Sequence, residues 1–375
     1  MKSLIIFETS LDGHRYEYLH NLYKQSLQIT NVRSVYVLPT DKRILKWDIS
    51  KADNVLIDNI SNEDLRLCTN GKLLKTAYYK SKILRRYVDK YQATHVFLIF
   101  LMLYMPFLLW LLPKRVKISG IVYRSFLWED DLRKGWVRRM MEWTRYWLMA
   151  KSKKMEKVLL LNDKRSAEIF NKRFSTDKFM RLSDPYTPLE GTMENIKDKL
   201  GIDACDNLFI QIGQLSGRKG TLDILDAMQM LSQEEKTCNH FYFAGKVAED
   251  IRNAFYAKMN ALKSKGIQVY VKDEFVSFEY LNSLCASCDC LLVPYKNTSQ
   301  SSGAIGYAAQ YGKPVIGPSK GLLGYLIKHY RLGYQIDKVC ADDIYTAISK
   351  FKRVSVPNDY VKDNQLDDFL KVCLN

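Results

Sequence analysis

The order of apolar runs in the sequence predicts an α/β protein built from two doubly wound domains whose parallel sheets face a cleft. Three observations carry that reading. Short apolar runs alternate with longer segments of helical period, the alternation breaks once at a pair of prolines and then resumes, and 375 residues exceed what one core comfortably holds.

In the first half the apolar runs fall at 4–7, 34–38, 54–57, 95–100, 118–123 and 158–161, and most segments between them are long enough for a crossover helix. Runs that are apolar throughout suit strands buried on both faces. The break is Asp184-Pro185-Tyr186-Thr187-Pro188, where two prolines in four residues disfavour helix and read as a linker. From Leu208 a second series runs through 241–244, 269–271, 290–293 and 314–317. The expected division is 1–187, 188–356 and a last segment, 357–375, that packs back toward the first domain through Tyr360, Leu366, Phe369 and Leu370. Ligands in such folds sit at the carboxyl ends of the strands.

Composition narrows the function class. With 47% hydrophobic and 26% charged residues the chain is ordered and globular. Lys and Arg number 57 against 41 Asp and Glu, a formal charge of +16 that favours a polyanionic partner: nucleic acid, anionic lipid or a phosphorylated substrate. Cysteines at 68, 205, 238, 285, 288, 290, 340 and 373 have no framework spacing and read as reduced thiols of a cytoplasmic protein. Cys285, Cys288 and Cys290 look like a metal site at first, yet no second Cys or His pair stands at a useful distance and 289–293 reads as a buried strand. Core cysteines and no metal are therefore expected. No signal peptide is expected either, since the first apolar run ends at Glu8. The stretch VFLIFLMLYMPFLLWLLP, 96–113, is short for a membrane span and is divided by Pro106; a buried strand and a short helix are expected instead.

Three stretches carry candidate chemistry. In LFIQIGQLSGRKGTLDILDAM, from Leu208, a strand runs into Gly213 and a turn holding Gly217, then Arg218-Lys219-Gly220 opens a helix. Unpaired N–H groups at a helix start with two cations beside them can receive an anion. An ordinary turn with solvated cations is the competing reading, and the glycine spacing is not the dinucleotide fingerprint. In SQSSGAIGYAAQYGKPVIG, from Ser299, the residues Ser301, Ser302 and Gly303 form either a concave turn of donors or a plain serine cap. Two such helix starts in one domain suit a diphosphate. The third stretch, from Asp131, holds nine Lys and Arg between Arg133 and Lys157 against Glu142 and Glu156. Helical spacing puts Trp136, Met140, Trp143 and Trp147 on one face and Lys134, Arg138 and Arg145 opposite. The expectation is a crossover helix with its tryptophans on the sheet and a basic face open to water or anionic lipid.

Residues 205–337 resemble the donor-binding domain of glycosyltransferases of the GT-B fold, most of all the retaining family 4 (glycosyltransferase group 1). The matching pieces are Gly213 to Gly220, Phe243-Ala244-Gly245, EYLNSLCASCDCLLVPY from Glu279, and Ala309-Gln310-Tyr311-Gly312-Lys313-Pro314-Val315-Ile316. In the first half, Glu8 to Arg15 resembles the turn on the acceptor side, Ser183-Asp184-Pro185 resembles the segment before the interdomain linker, and Tyr123-Arg124-Ser125 ends a strand toward the same cleft. The resemblance implies two Rossmann-like domains and an enzyme that moves a sugar from a nucleotide-sugar to a glycan or polyprenyl-linked acceptor in cell-surface polysaccharide biosynthesis. Beside the resemblance, the reduced cysteines and the basic face lead to the expectation of a cytoplasmic protein, peripheral on the inner face of an anionic membrane; no acidic pair stands out as a metal site, so no metal and no cofactor are expected, and no nucleic acid partner.

Carried over position by position, the resemblance makes Gly213, Gln214, Arg218, Lys219, Ser299, Ser301, Ser302, Gly303 and Tyr307 donor-binding, and Gly13, His14 and Arg124 acceptor-side; His14 and Lys219 would be catalytic. The sequence departs from the family where Gln214 stands for an arginine and where Ser299 and Tyr307 stand for two glutamates. His14 also reads as a capping residue, and Arg124 as a partner for Glu129, Asp130 or Asp131. The other functions weighed are a non-catalytic basic protein on membrane or nucleic acid, for which no aromatic-basic recognition motif is present, and a GT-B nucleotide-sugar epimerase.

Overall fold

A computed structural model of the protein describes residues 2–12, 14–47, 53–129, 135–185 and 193–374, with His14 described by its backbone alone. Its contacts divide the chain into two units, Met1–Ser183 with Leu366–Asn375, and Asp184–Gln365. Residues 357–365 thus group with the second unit rather than with the returning segment, and the expected boundary at 187 falls outside the described residues.

The first unit is a parallel sheet of seven strands: β1 (Lys2–Phe7), β2 (Val32–Pro39), β3 (Val55–Ile60), β4 (His95–Leu98), β5 (Lys117–Val122), β6 (Met155–Leu161) and β7 (Phe179–Leu182). Their order is β3-β2-β1-β4-β5-β6-β7, so it reverses between β1 and β4. In register, Ile5 lies beside Val35 and Val96. Successive side chains of a strand point to opposite faces, which is why all of Leu4, Ile5, Ile6 and Phe7 can be buried. Leu4 and Ile6 meet Tyr18, Leu19 and Leu22 of the His14–Ser26 helix, together with Phe369, Leu370 and Cys373 of the last helix, Leu366–Leu374. Ile5 and Phe7 face the opposite layer, made by the helices Leu73–Lys90, Phe107–Leu111, Trp136–Lys151 and Lys164–Phe174.

Two apolar stretches resolve within this unit. The 96–113 segment becomes β4, a tight turn at Leu101–Leu103 and the Phe107–Leu111 helix, each giving buried residues to the same core although Trp110 is exposed; no described helix is long and apolar enough to cross a membrane. The Trp136–Lys151 helix corrects the expected orientation. It turns Tyr146, Met149 and Ala150 to the sheet, with Trp143 edge-on to Phe126 and Phe170, whereas Trp136, Met140 and Trp147 are exposed. Tyr146 fills the sheet-facing position because it stacks on Phe170 at 4.1 Å between ring centroids.

The second unit is a six-stranded parallel sheet: β8 (Asn207–Ile212), β9 (Asn239–Ala244), β10 (Gln268–Lys272), β11 (Cys290–Leu292), β12 (Val315–Pro318) and β13 (Gly333–Ile336), in the order β10-β9-β8-β11-β12-β13. The reversal here lies between β8 and β11. Cys285, Cys288 and Cys290 are buried with free thiols that burial pushes up, Cys288 to about 12. Among the described residues no group of three or more His, Cys, Asp or Glu is placed to hold a metal ion.

The aromatic packing under the first sheet gives a stability test. Phe170→Ala should cost about 3–5 kcal/mol because it empties the space between Tyr146, Trp143 and Phe179, while Met180→Ala on the exposed edge strand should stay within about 0.5 kcal/mol. Urea denaturation of the two variants against wild type measures both, and equal costs would show that this cluster is not a core.

Candidate functional site

The strand order reverses between β8 and β11, and in open parallel sheets such a reversal is where ligands bind, at the carboxyl ends of the strands. Two loops leave the sheet there. After β8 come Gly213, a single turn at Gly217–Lys219, and Gly220 in the left-handed region, which opens the helix Thr221–Met228. Several bonds fix this path. Ser216 N donates to Thr221 Oγ1 at 3.0 Å, Gln211 Nε2 donates to the Lys219 carbonyl at 2.9 Å, and Leu215 is bridged to Val247.

Lys219 is folded back over the strand end. Its ammonium donates to the Ile212 carbonyl at 3.0 Å and lies 5.1 Å from the centre of the Tyr295 ring. A Cβ on Gly213 would come within 2.8 Å of that nitrogen, so the glycine makes room for the cation, and its φ of +80° suits glycine as well. Arg218 is exposed, and its guanidinium has no hydrogen-bond or ion-pair partner among the described residues. Gln214 is exposed beside Gly213.

The second loop runs from β11 to the helix Gly303–Gln310 and is stitched to the first. Lys296 N donates to the Arg218 carbonyl at 2.9 Å, and the Lys296 ammonium pairs with Asp223 at 2.8 Å. Gly220 passes so close that a Cβ there would lie 2.3 Å from the Pro294 carbonyl oxygen. Beyond this junction the small polar turn is more occupied than the sequence suggests. Ser299 is buried and its hydroxyl donates to Asn297 Oδ1 at 2.9 Å; Ser302 caps the helix by accepting from Ala304 N at 3.3 Å; Ser301 donates to Asp184 Oδ2 at 2.8 Å. Tyr307 is buried in the helix. The hydroxyls expected to meet a phosphate are therefore engaged within the protein. The Gly303 amide has no acceptor among the described residues, and it stands at the positive end of the helix.

Asp184 is a residue the sequence did not single out for this turn. It is buried, its own amide donates to Asn364 Oδ1 at 2.9 Å, and Asn364 donates in turn to the Tyr360 carbonyl at 2.8 Å. Its bond to Ser301 joins positions 117 residues apart, which no local pattern announces.

In the first unit the reversal between β1 and β4 carries a second polar cluster. Glu8 follows β1 and is buried; its Oε1 accepts from Thr9 N at 2.7 Å, Ser10 N at 3.2 Å and Arg15 Nη1 at 3.3 Å, while Oε2 has no partner among the described residues. Burial pushes the Glu8 carboxyl up, with the Arg15 charge opposing the shift. Lys80, buried on the Leu73–Lys90 helix, donates to Thr9 Oγ1, and burial pushes its ammonium down against the opposing charge of Glu8. Arg15 lies over Phe100 at 4.1 Å, and Phe100 stacks on Tyr123. The apolar run ending at a glutamate could have marked Glu8, but Lys80 is one lysine among several on its helix. Gly13 and the His14 side chain lie outside the described residues. His14 opens the His14–Ser26 helix, and Arg124 pairs with Glu129 rather than standing open; Asp130 and Asp131 are outside the described residues.

No family model matches the chain, and no curated protein matches it. Solved structures do. The Alr3699/HepE protein of Anabaena, in complex with UDP-glucose, is 12% identical with a TM-score of 0.68, covering 100% of this chain and 98% of that one. WaaG, a glycosyltransferase involved in lipopolysaccharide biosynthesis, is 16% identical with a TM-score of 0.64 over 93% of this chain and 90% of its own. Sucrose-phosphate synthase from Thermosynechococcus elongatus is 13% identical with a TM-score of 0.65 over 100% and 95%. These likenesses establish the fold, the pair of Rossmann-like α/β units of the GT-B class.

The buried acid gives a pH test. A carboxyl whose folded pKa is raised contributes stability below its ordinary value, 4.5 here, and loses that contribution as pH rises through the folded value. Glu8→Gln keeps an acceptor and cannot ionise, so its stability should improve relative to wild type between about pH 4 and pH 7. Denaturation midpoints across that range measure the difference; a gap that does not change with pH contradicts the placement of Glu8.

Proposed function

We propose that the protein is a retaining glycosyltransferase of the family 4 kind, moving a sugar from a nucleoside-diphosphate sugar to a glycan or polyprenyl-linked acceptor in cell-surface polysaccharide assembly. The observation that carries the reading is the junction of the two loops at the β8/β11 reversal, with Lys219 packed against Tyr295 and Arg218 bonded through its carbonyl to Lys296. The structures of HepE with UDP and with UDP-glucose make uridine diphosphate the first donor nucleotide to try.

In this reading the diphosphate takes the place of the Ile212 carbonyl as the partner of Lys219, with Arg218 beside it and the Gly303 amide at the helix end. Negative charge grows on the diphosphate as the bond from the anomeric carbon to its oxygen breaks. Cations and amides already fixed at that position stabilise the departing group more than the bound donor, which is what accelerates the step. The acceptor oxygen forms the new bond to the anomeric carbon, and its proton passes to the departing phosphate oxygen, so the step needs no metal and no separate base. Gly13, His14 and Arg124 are assigned to the acceptor side. The excess of cations supports peripheral association with an anionic membrane.

A thermal-shift panel of nucleoside diphosphates and their sugars tests the reading, since a ligand bound only by the native state raises the melting temperature. One diphosphate should bind in the presence of EDTA as well as in its absence, and Arg218→Ala and Lys219→Ala should each weaken it by about tenfold or more through the loss of a charge-assisted contact. Strong duplex affinity without any nucleotide binding would assign the protein to nucleic acid instead. Conversion of a nucleotide-sugar to its epimer without an acceptor would make it an epimerase.

A further inference from the structure

The first unit leaves an unusual amount of apolar side chain on one helix. In Trp136–Lys151 the exposed apolar residues are Trp136 at 74%, Val137 at 53%, Met140 at 57%, Met141 at 60% and Trp147 at 47%. At a helical turn of 3.6 residues these five fall within an arc of about 140° on the side away from the sheet. Thr144 and, in the last turn, Lys151 are the polar residues within the arc, and the charged side chains at 138, 139, 142 and 145 fall outside it. Arg138 and Arg145 stand along one border of the arc.

A crossover helix returns the chain from the carboxyl end of one strand to the amino end of the next, so Trp136 to Met141 stand at the carboxyl end of β5 and β6. The Leu73–Lys90 helix, which follows the short Asn62–Thr69 helix and packs in the same layer, repeats the arrangement at its start, which lies beyond the carboxyl end of β1 because Lys80, two turns further on, bonds Thr9. Leu73 and Leu74 are 62% and 61% exposed, between the exposed Lys72 and Lys75. Two apolar tips flanked by cations thus lie on one face and at one end of the sheet, the end that also carries the Glu8 loop.

We propose that this face docks on an anionic lipid bilayer, with the Trp136–Lys151 helix lying in the interface and the Leu73 tip beside it. Tryptophan and methionine suit the boundary between headgroups and acyl chains, where a ring or thioether enters apolar surroundings and flanking arginines reach the phosphates. Charge decides between lipid and a second copy of the chain. Two molecules of formal charge +16 would set cation against cation around the apolar tips, whereas an anionic surface complements them. The inference rests on the peripheral-membrane part of the proposed function and deepens it. Docking at this end would bring the loops at the carboxyl end of the first sheet to the surface that carries a lipid-linked acceptor.

The full chain should cosediment with phosphatidylcholine vesicles containing about 30% phosphatidylglycerol, less so at high salt, and not with phosphatidylcholine alone. Brominated acyl chains should quench its tryptophan fluorescence. The variant Trp136→Ser/Met140→Ser/Trp147→Ser should bind about tenfold or more weakly and lose the quenching, and Met141→Gln, a milder change, should weaken binding in the same direction. Thermal shift with the nucleoside diphosphate, run on the same samples, reports the donor site separately and checks that the variants are folded. Undiminished vesicle binding in the variants overturns the proposal, as does the absence of binding to anionic vesicles. A concentration-dependent dimer in lipid-free solution that the triple variant abolishes also overturns it and assigns the face to a second copy.

Discussion

The geometry at the β8/β11 reversal depends on one close approach: the ammonium of Lys219 lying across the end of β8, over a residue without a side chain. Gly213 leaves the space, the Ile212 carbonyl holds the charge, and Tyr295 from the neighbouring loop closes over it. Gly220 then lets the chain pass against Pro294, so the loop after β8 and the loop after β11 become one surface. A side chain at either glycine would meet a nitrogen or a carbonyl oxygen well inside contact distance. This surface is therefore made chiefly by backbone, and of its two cations Lys219 is held in place while the Arg218 guanidinium is exposed.

The remaining polar groups divide into those that hold this surface and those open to a ligand. Asp184, Ser301 and Asn364 form a chain of bonds that fixes the polar turn before the Gly303–Gln310 helix, and Ser302 caps that helix. The hydroxyls are thus structural, which shifts the expected recognition of phosphate from side-chain oxygens to the Gly303 amide, Arg218 and Lys219. In the first unit Glu8, Arg15 and Lys80 play a comparable part, with two cations and two amides arranged around a carboxylate that burial disfavours. Their arrangement ties the turn after β1 to the Leu73–Lys90 helix through Thr9.

Much of the fold was legible because the inner strands of a parallel sheet are buried on both faces. Leu4-Ile5-Ile6-Phe7 can only be apolar throughout, and so can Leu208 to Ile210. Two of the four edge strands escaped the same reading: β7 has Met180 exposed and Arg181 half-buried, and β13 has only Ile336 buried, so neither makes a run. The Trp136–Lys151 helix shows a different limit. Periodicity finds a stripe but not which stripe faces the protein, and the set of Tyr146, Met149 and Ala150 wins because aromatic partners from Phe126 to Phe179 await Tyr146 beneath it. In the site, Gly213, Lys219 and Gly220 could be found from a local motif, whereas Asp184 and Lys80 act across distances in sequence that a motif does not span.

The most direct test of the central claim is a crystal structure of the full chain with the nucleoside diphosphate that binds it best. The account predicts the two phosphates at the β8/β11 reversal, within hydrogen-bond distance of Lys219 Nζ and of the Gly303 amide at once. A diphosphate seated elsewhere, or touched by only one of those two loops, would contradict it.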